Sequence, residues 1–355
     1  MKFKILDLFC GAGGLSCGLD QVKGFSTEVA LDFDSKAINT FKQNYPKIDC
    51  LCGDICKEEV KKLIVGLCEK RKVNMIVGGP PCQGFSLKGK NLGINDPRNF
   101  LFLEYVELVK RIKPDIFLIE NVKNMASAEN GFFIKQIYDK FTELGYTLKH
   151  GVLNSRFFGV PQTRERTIII GTLSKKGVDL PSGKEKLVTV REAISDLSYL
   201  NSGEGEFESN YKFEPQSEYQ KMMRNNSVKL FNHVATNHSK IALDKLKMIP
   251  PEGDKKSLPK KMLGNQKFSS TWSRLQWDKP SPTIDTRFDT PSNGRNSHPF
   301  LDRAITPREA ARLQSFPDTY IFYGNKTSVC KQIGNAVPPL MAKAIAEHIK
   351  KEWGK

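Results

Sequence analysis

Cys82 sits in the run Gly78-Gly79-Pro80-Pro81-Cys82-Gln83-Gly84-Phe85-Ser86, directly after two prolines and between glycines. A thiolate is a strong nucleophile that needs little activation. The two proline rings fix φ, so a side chain carried by this loop has little freedom left to lose. A structural cysteine is the plain alternative, but such residues usually lie inside helices and strands. Glu120 closes an apolar run, Asp115–Ile119, where a carboxyl can act as an acid near neutral pH. Arg164 and Arg166 alternate in Gln162-Thr163-Arg164-Glu165-Arg166. In an extended segment, residues i and i+2 point to one face, and two guanidiniums there suit a carbonyl oxygen or a phosphate. A nucleophile, an acid and an oxygen-binding pair at strand ends form an active-site constellation.

A second group points to a bound nucleoside. Asp7-Leu8-Phe9-Cys10-Gly11-Ala12-Gly13-Gly14-Leu15-Ser16 follows a short apolar strand and opens a helix. Glycines there let backbone approach a ligand at a helix start. A dinucleotide fingerprint would need glycine at position 16, where Ser16 stands. Asp32 ends the next strand and suits ribose hydroxyls, and Asp54 in Cys52-Gly53-Asp54-Ile55-Cys56 suits an adenine amino group. A turn is the simple reading of Gly53-Asp54. These residues leave a nicotinamide dinucleotide open. The incomplete phosphate fingerprint favours a nucleoside cofactor without a pyrophosphate, such as S-adenosylmethionine.

The elements that would position these groups are readable from periodicity. Segments 3–9, 27–34, 74–79, 114–122 and 166–172 read as buried strands, with a further strand ending at Asp54. Between them, 14–22, 35–45, 100–113 and 131–145 read as helices, with Ser35 as a cap and Gly145 as a stop. This alternation predicts an α/β fold: a Rossmann-like, mostly parallel sheet with helices on both faces. Residues 174–270 are polar and lysine-rich with weak periodicity, which predicts a smaller irregular lobe. Segment 305–317 predicts a helix with Thr306 as cap, Pro307 first and Glu309 closing a capping box. Segment 338–353 predicts an amphipathic helix. The expected domains are residues 1–173, 174–325 and a returning segment, 326–355.

The chain of 355 residues carries a formal charge of +16, spread over its length rather than held in a tail. That fits a surface offered to a polyanion. No apolar run approaches the roughly 18 residues of a membrane span, and the N-terminus lacks a signal-peptide pattern. A cytoplasmic location is expected, with reduced thiols. Cys50, Cys52, Cys56 and Cys68 lack paired zinc-type spacing, and His233 and His238 are expected to be structural, so no metal is expected.

The whole chain resembles the cytosine-C5 DNA methyltransferases of bacterial restriction-modification type. Asp7–Ser16 looks like their cofactor motif, Gly78–Ser86 the nucleophile motif, Glu120-Asn121-Val122 the acid motif and Gln162–Arg166 the arginine motif. Segments 274–287 and 332–345 resemble two later motifs, in the same order. The resemblance implies transfer of a methyl group from S-adenosylmethionine to C5 of a flipped-out cytosine, leaving S-adenosylhomocysteine. Cys82 would attack C6, Glu120 would meet N3, and Arg166 would hold O2 with Arg164 beside it. Phe9, Gly11, Gly13, Asp32, Phe33, Asp54, Ile55, Pro80, Leu101, Asn335, Ala336 and Val337 would bind the cofactor. The C-terminal helix would pack beside the first motif. Residues of about 186–272 would choose the target sequence, facing the major groove. Gln83, Ser86 and Arg287 are candidates for contacts to DNA, with Arg295 and Arg303 expected in phosphate or structural roles. Double-stranded DNA is the expected partner, a restriction endonuclease the functional companion, and a monomer the expected state. The alternative is an RNA (tRNA) cytosine-C5 methyltransferase on the same plan, although the Cys-Phe-Thr signature of that branch is absent.

Overall fold

The computed structural model describes residues 2–81, 100–127, 131–183, 186–263 and 270–353. The chain divides into two compact units. One comprises Met1–Asn154, Glu165–Gly183 and Pro339–Lys355; the other comprises Ser155–Arg164 and Lys184–Pro338.

The first unit runs β1 (Phe3–Leu8), α1 (Gly14–Leu19), β2 (Phe25–Asp32), α2 (Ser35–Asn44), β3 (Asp49–Cys52), α3 (Glu58–Arg71), β4 (Met75–Gly78), α4 (Phe100–Ile112), β5 (Ile116–Val122), α5 (Phe132–Glu143), β6 (Thr147–Asn154) and β7 (Glu165–Thr172). Its seven-stranded sheet has the order β3-β2-β1-β4-β5-β7-β6. Neighbours are parallel from β3 to β5, and β7 is antiparallel to both β5 and β6. The strand order reverses between β1 and β4, and ligands of open α/β sheets bind beyond the carboxyl ends of strands at such a point. Ile5, Leu6, Leu8, Met75, Ile76, Val77 and Ile116–Ile119 are all buried, as a parallel sheet covered on both faces requires. Phe117 stacks on Phe141 at 4.1 Å between centroids, with Tyr146 edge-on.

Two local expectations change. Asp34, not Ser35, caps α2: its side chain accepts from the backbone N–H groups of Lys36 and Ala37. The extended backbone of Asp34 places it at the N-cap position, where aspartate is among the favoured residues. Strand β6 was not anticipated, because Lys149 and His150 in succession break an alternating pattern. It lies at the sheet edge, where polar side chains reach solvent. Gly145 does follow α5 with a left-handed φ of 87°. The C-terminal helix, Pro339–Trp353, packs against α1 so closely that a Cβ on Gly18 would lie 2.1 Å from the Pro339 carbonyl oxygen.

The second unit contains α6 (Val190–Ile194), β8 (Gly205–Ser209), α7 (Glu218–Arg224), β9 (Leu230–Val234), α8 (Lys240–Met248), α9 (Lys260–Leu263), α10 (Pro307–Leu313) and α11 (Lys326–Asn335). Strands β8 and β9 form an antiparallel pair. Helix α10 starts with the expected Thr306 cap, Pro307 and Glu309 capping box. It is buried throughout and anchors a lattice of charge. Arg303 grips Glu309 through two nitrogens at 2.8 and 2.7 Å, and Arg312 grips Asp318 at 2.9 and 2.7 Å and Asp196 at 2.5 Å. Arg303 is therefore structural and has no surface for a phosphate. His233 and His238 also serve the scaffold, against the Thr306 hydroxyl at 3.0 Å and the Ala304 N–H at 3.0 Å. No described helix is long and apolar enough to cross a membrane.

Candidate active site

Glu120 lies near the carboxyl end of β5, opposite Ile168 on β7, and Arg166 pairs with Val122 two register positions away, on the same face. The antiparallel pairing of β5 with β7 thus sets a carboxyl group and a guanidinium fork side by side. Arg166 Nε is 2.9 Å from Glu120 Oε1, and its Nη1 donates to the Glu165 carbonyl at 2.7 Å. Both side chains are largely buried, at 11% and 16% exposure, so the pair is only weakly screened. The other Glu120 oxygen lies against Gly79. A Cβ there would stand 3.0 Å from Oε2, so glycine is what lets the loop after β4 pass over the carboxylate.

Asn121 fixes the same loop from the next position. Its side-chain amide donates to the Pro80 carbonyl at 2.8 Å, and Asn121 is itself buried. Sequence reasoning assigned Asn121 no role. The signal was present: a carbonyl between two prolines lacks the local N–H donors of an ordinary turn, so a neighbouring side chain must supply one. Cys82, Gln83 and Ser86 lie outside the described residues.

Arg164 does not share the Glu120–Arg166 pair. It belongs to the second unit, where its guanidinium is buried and donates to the carbonyls of Ile284 at 3.2 Å and Gly334 at 2.9 Å. Gln162 and Gln314 extend this support. Gln162 donates to the Leu313 carbonyl and to Gln314, and Gln314 donates to the Ile333 carbonyl at 2.7 Å. The chain leading into Asn335, Ala336 and Val337 is thereby held by buried amides and one guanidinium.

In the first unit, the loop after β1 turns through left-handed Phe9, Gly11 and Gly13, with φ of 56°, 53° and 84°. Asp32 ties it down: one carboxylate oxygen accepts from the Gly11 N–H at 2.7 Å and the other from the Asp34 N–H at 2.8 Å. Burial raises the Asp32 pKa, opposed by these bonds. The Asp32 carbonyl accepts from Gly53, which brings the Asp54 loop alongside. Asp54 accepts from the Cys56 N–H at 3.0 Å, a bond that lowers its pKa. Phe33 projects with 78% exposure, while Ile55 is buried and Phe9 and Leu101 pack partly on the core. A large aromatic standing free beside a fixed carboxylate, above glycine-rich backbone, fits an adenosine-bearing ligand. Among the described residues, no group of His, Cys, Asp and Glu is arranged to hold a metal ion. All described cysteines are free thiols.

Comparison with known proteins agrees with this arrangement. The family model of C-5 cytosine-specific DNA methylases matches residues 3–351. The Type II methyltransferase M.DdeI of Desulfomicrobium norvegicum is 36% identical, over 97% of this chain and 88% of its own. The Type II methyltransferase M1.HphI of Haemophilus parahaemolyticus is 35% identical, over 99% of this chain and 87% of its own. A prophage-encoded E. coli protein, described in its crystal structure as a DNA modification methyltransferase, superposes with a TM-score of 0.80 at 26% identity, covering both chains fully. A glycine-rich turn at the switch point, Gly79 and Pro80 set against Glu120 and Asn121, and a match over nearly the whole length have one common reading: the chain belongs to the C-5 cytosine-specific DNA methylase family.

Proposed function

We propose that the protein methylates C5 of a cytosine turned out of duplex DNA, with Cys82 as the covalent nucleophile. The supporting observation is the Glu120–Arg166 pair packed against Gly79, at the strand end where the chain runs on towards Cys82. C5 of cytosine is a poor nucleophile. Addition of the Cys82 thiolate to C6 makes the ring an enamine and puts electron density on C5. Glu120 hydrogen-bonds or protonates N3 as that bond forms, so the developing charge is neutralised. Arg166 orients Glu120 through Nε and has Nη2 for the O2 oxygen. S-adenosylmethionine, when bound, supplies the electrophilic methyl group. A base, such as water, then removes the C5 proton, and the thiolate leaves.

Asp32, Phe33, Asp54, Ile55, Phe9, Gly11, Gly13, Pro80 and Leu101 would hold the cofactor, and the family resemblance gives Asn335, Ala336 and Val337 the same role. In this reading Arg164 is a positioning residue for the second of these groups. The target base must leave the helix, because a ring atom inside a duplex is out of a side chain's reach. Gln83 and Ser86 would contact the DNA left behind. Arg287, with a 59% exposed side chain 3.9 Å from Asp289, suits a phosphate. The lobe of about 186–272 would select the sequence, and the enzyme would act as a monomer in the cytoplasm, protecting DNA from a companion endonuclease. Incubation with duplex DNA containing 5-fluorocytosine and S-adenosylmethionine, followed by peptide mass mapping, tests the nucleophile. The adduct is expected on the Cys82 peptide and absent from Cys82→Ser; an adduct that persists in Cys82→Ser contradicts the assignment.

A further inference from the structure

Asp7 lies on β1, opposite Ala30 on β2 and Val77 on β4. It is fully buried. One carboxylate oxygen accepts from the Ser16 hydroxyl of α1 at 2.6 Å, and the other has no hydrogen-bond partner among the described residues. Asp7 and Ser16 stand at the two roots of the glycine loop that turns through Phe9, Gly11 and Gly13. The titratable groups facing Asp7 are Asp20 at the end of α1, Asp32 at the end of β2, Cys10 in the loop, Cys50 on β3 and Tyr105 on α4. No cation stands among them. An ionised carboxylate buried with one bare oxygen and two acidic neighbours is costly, and a proton removes most of that cost.

We propose that Asp7 couples cofactor binding to proton release: it is neutral in the free enzyme and loses its proton to solvent when a cationic ligand settles on the loop. The inference rests on the cofactor reading given above. S-adenosylmethionine carries a sulfonium and an ammonium against one carboxylate, so it brings net positive charge to a site whose nearby ionisable groups are acidic. That charge favours the ionised form of Asp7. Burial, opposed by the Ser16 bond and reinforced by Asp20 and Asp32, pushes the free-state Asp7 pKa up to about 7. The proton is therefore present at or below neutral pH and available for release. By linkage, affinity for a cationic ligand rises with pH up to that value and levels off above it.

Titration calorimetry with sinefungin, an unreactive analogue bearing an ammonium in place of the sulfonium, tests this between pH 6 and 8.5. Running it in two buffers of different ionisation enthalpy counts protons. Wild-type protein is expected to release a proton, with affinity gaining up to about tenfold per pH unit below neutrality. S-adenosylhomocysteine, which lacks the extra charge, should release fewer. Asp7→Asn keeps the shape and should abolish both the release and the slope. Ser16→Ala removes a bond that favours the ionised form, and should move the sloping range to higher pH. Binding that is flat with pH and independent of buffer overturns the coupling and leaves the cofactor reading intact. A slope retained by Asp7→Asn also overturns it. No binding at any pH overturns both.

Discussion

Glu120 and Arg166 illustrate how the site's side chains depend on one another. The guanidinium holds one carboxylate oxygen and Gly79 leaves room for the other, so a single carboxyl is fixed in place beneath the loop. Glu120→Gln retains shape but removes the proton donor. The expected loss is about 10²–10⁴-fold in kcat with a much smaller change in DNA affinity. Steady-state kinetics beside a binding assay checks this, and an unchanged kcat would remove Glu120 from the chemistry. At this scale the sequence marked residues by type and spacing, since a thiol between Pro-Pro and Gln-Gly or a carboxyl after DIFLI is unusual wherever it occurs. It did not mark which polar groups the protein uses for itself. Arg164 and Arg166 look equivalent two residues apart, yet one is committed to the carbonyls of Ile284 and Gly334. Asn121 went unassigned because its partner, the Pro80 carbonyl, is distant in sequence.

Strand order carries Gly79, Glu120, Asn121 and Arg166 to one place. Strands β1 and β4 lie side by side at the reversal of the sheet, and β5 with β7 supplies the acid and its fork. Five of the strands in the sheet were legible as apolar runs bounded by Gly, Pro or Asp, and β3 by the position of its end. Strand β6 was hidden because an edge strand needs no apolar alternation. In the second unit, α10 depends on charge as much as on apolar packing. Burial alone would raise the Glu309 pKa, but Arg303, aided by His298 and His233, holds it down at about 2. Its folded value lies below its ordinary 4.5, so its contribution is fully present above pH 4.5 and fades as pH falls towards 2. His233, held by burial at about 4 rather than 6.5, adds a loss of the same sign as pH falls from 6.5 to 4. Glu309→Gln leaves Arg303 buried without its partner and is expected to destabilise the second unit by about 3–5 kcal/mol at pH 7. Urea unfolding followed through Trp272 and Trp277, both in that unit, measures it. A change below about 1 kcal/mol would mean that the lattice is dispensable.

For the whole molecule, the α/β class followed from alternation along the first half of the chain, and the family from motifs distributed along its full length. The second unit was legible mainly as a change of character: short helices, one strand pair and buried ion pairs do not generate periodicity. The charge of +16 suits a polyanionic substrate but does not distinguish DNA from RNA. That distinction is the central claim, and nucleoside mass spectrometry tests it most directly. Purified protein would be incubated with S-adenosylmethionine and, separately, with unmethylated duplex DNA and with tRNA. The account predicts 5-methyldeoxycytidine in the DNA and no 5-methylcytidine in the tRNA. 5-Methylcytidine in tRNA alone, with unmodified DNA, would contradict it.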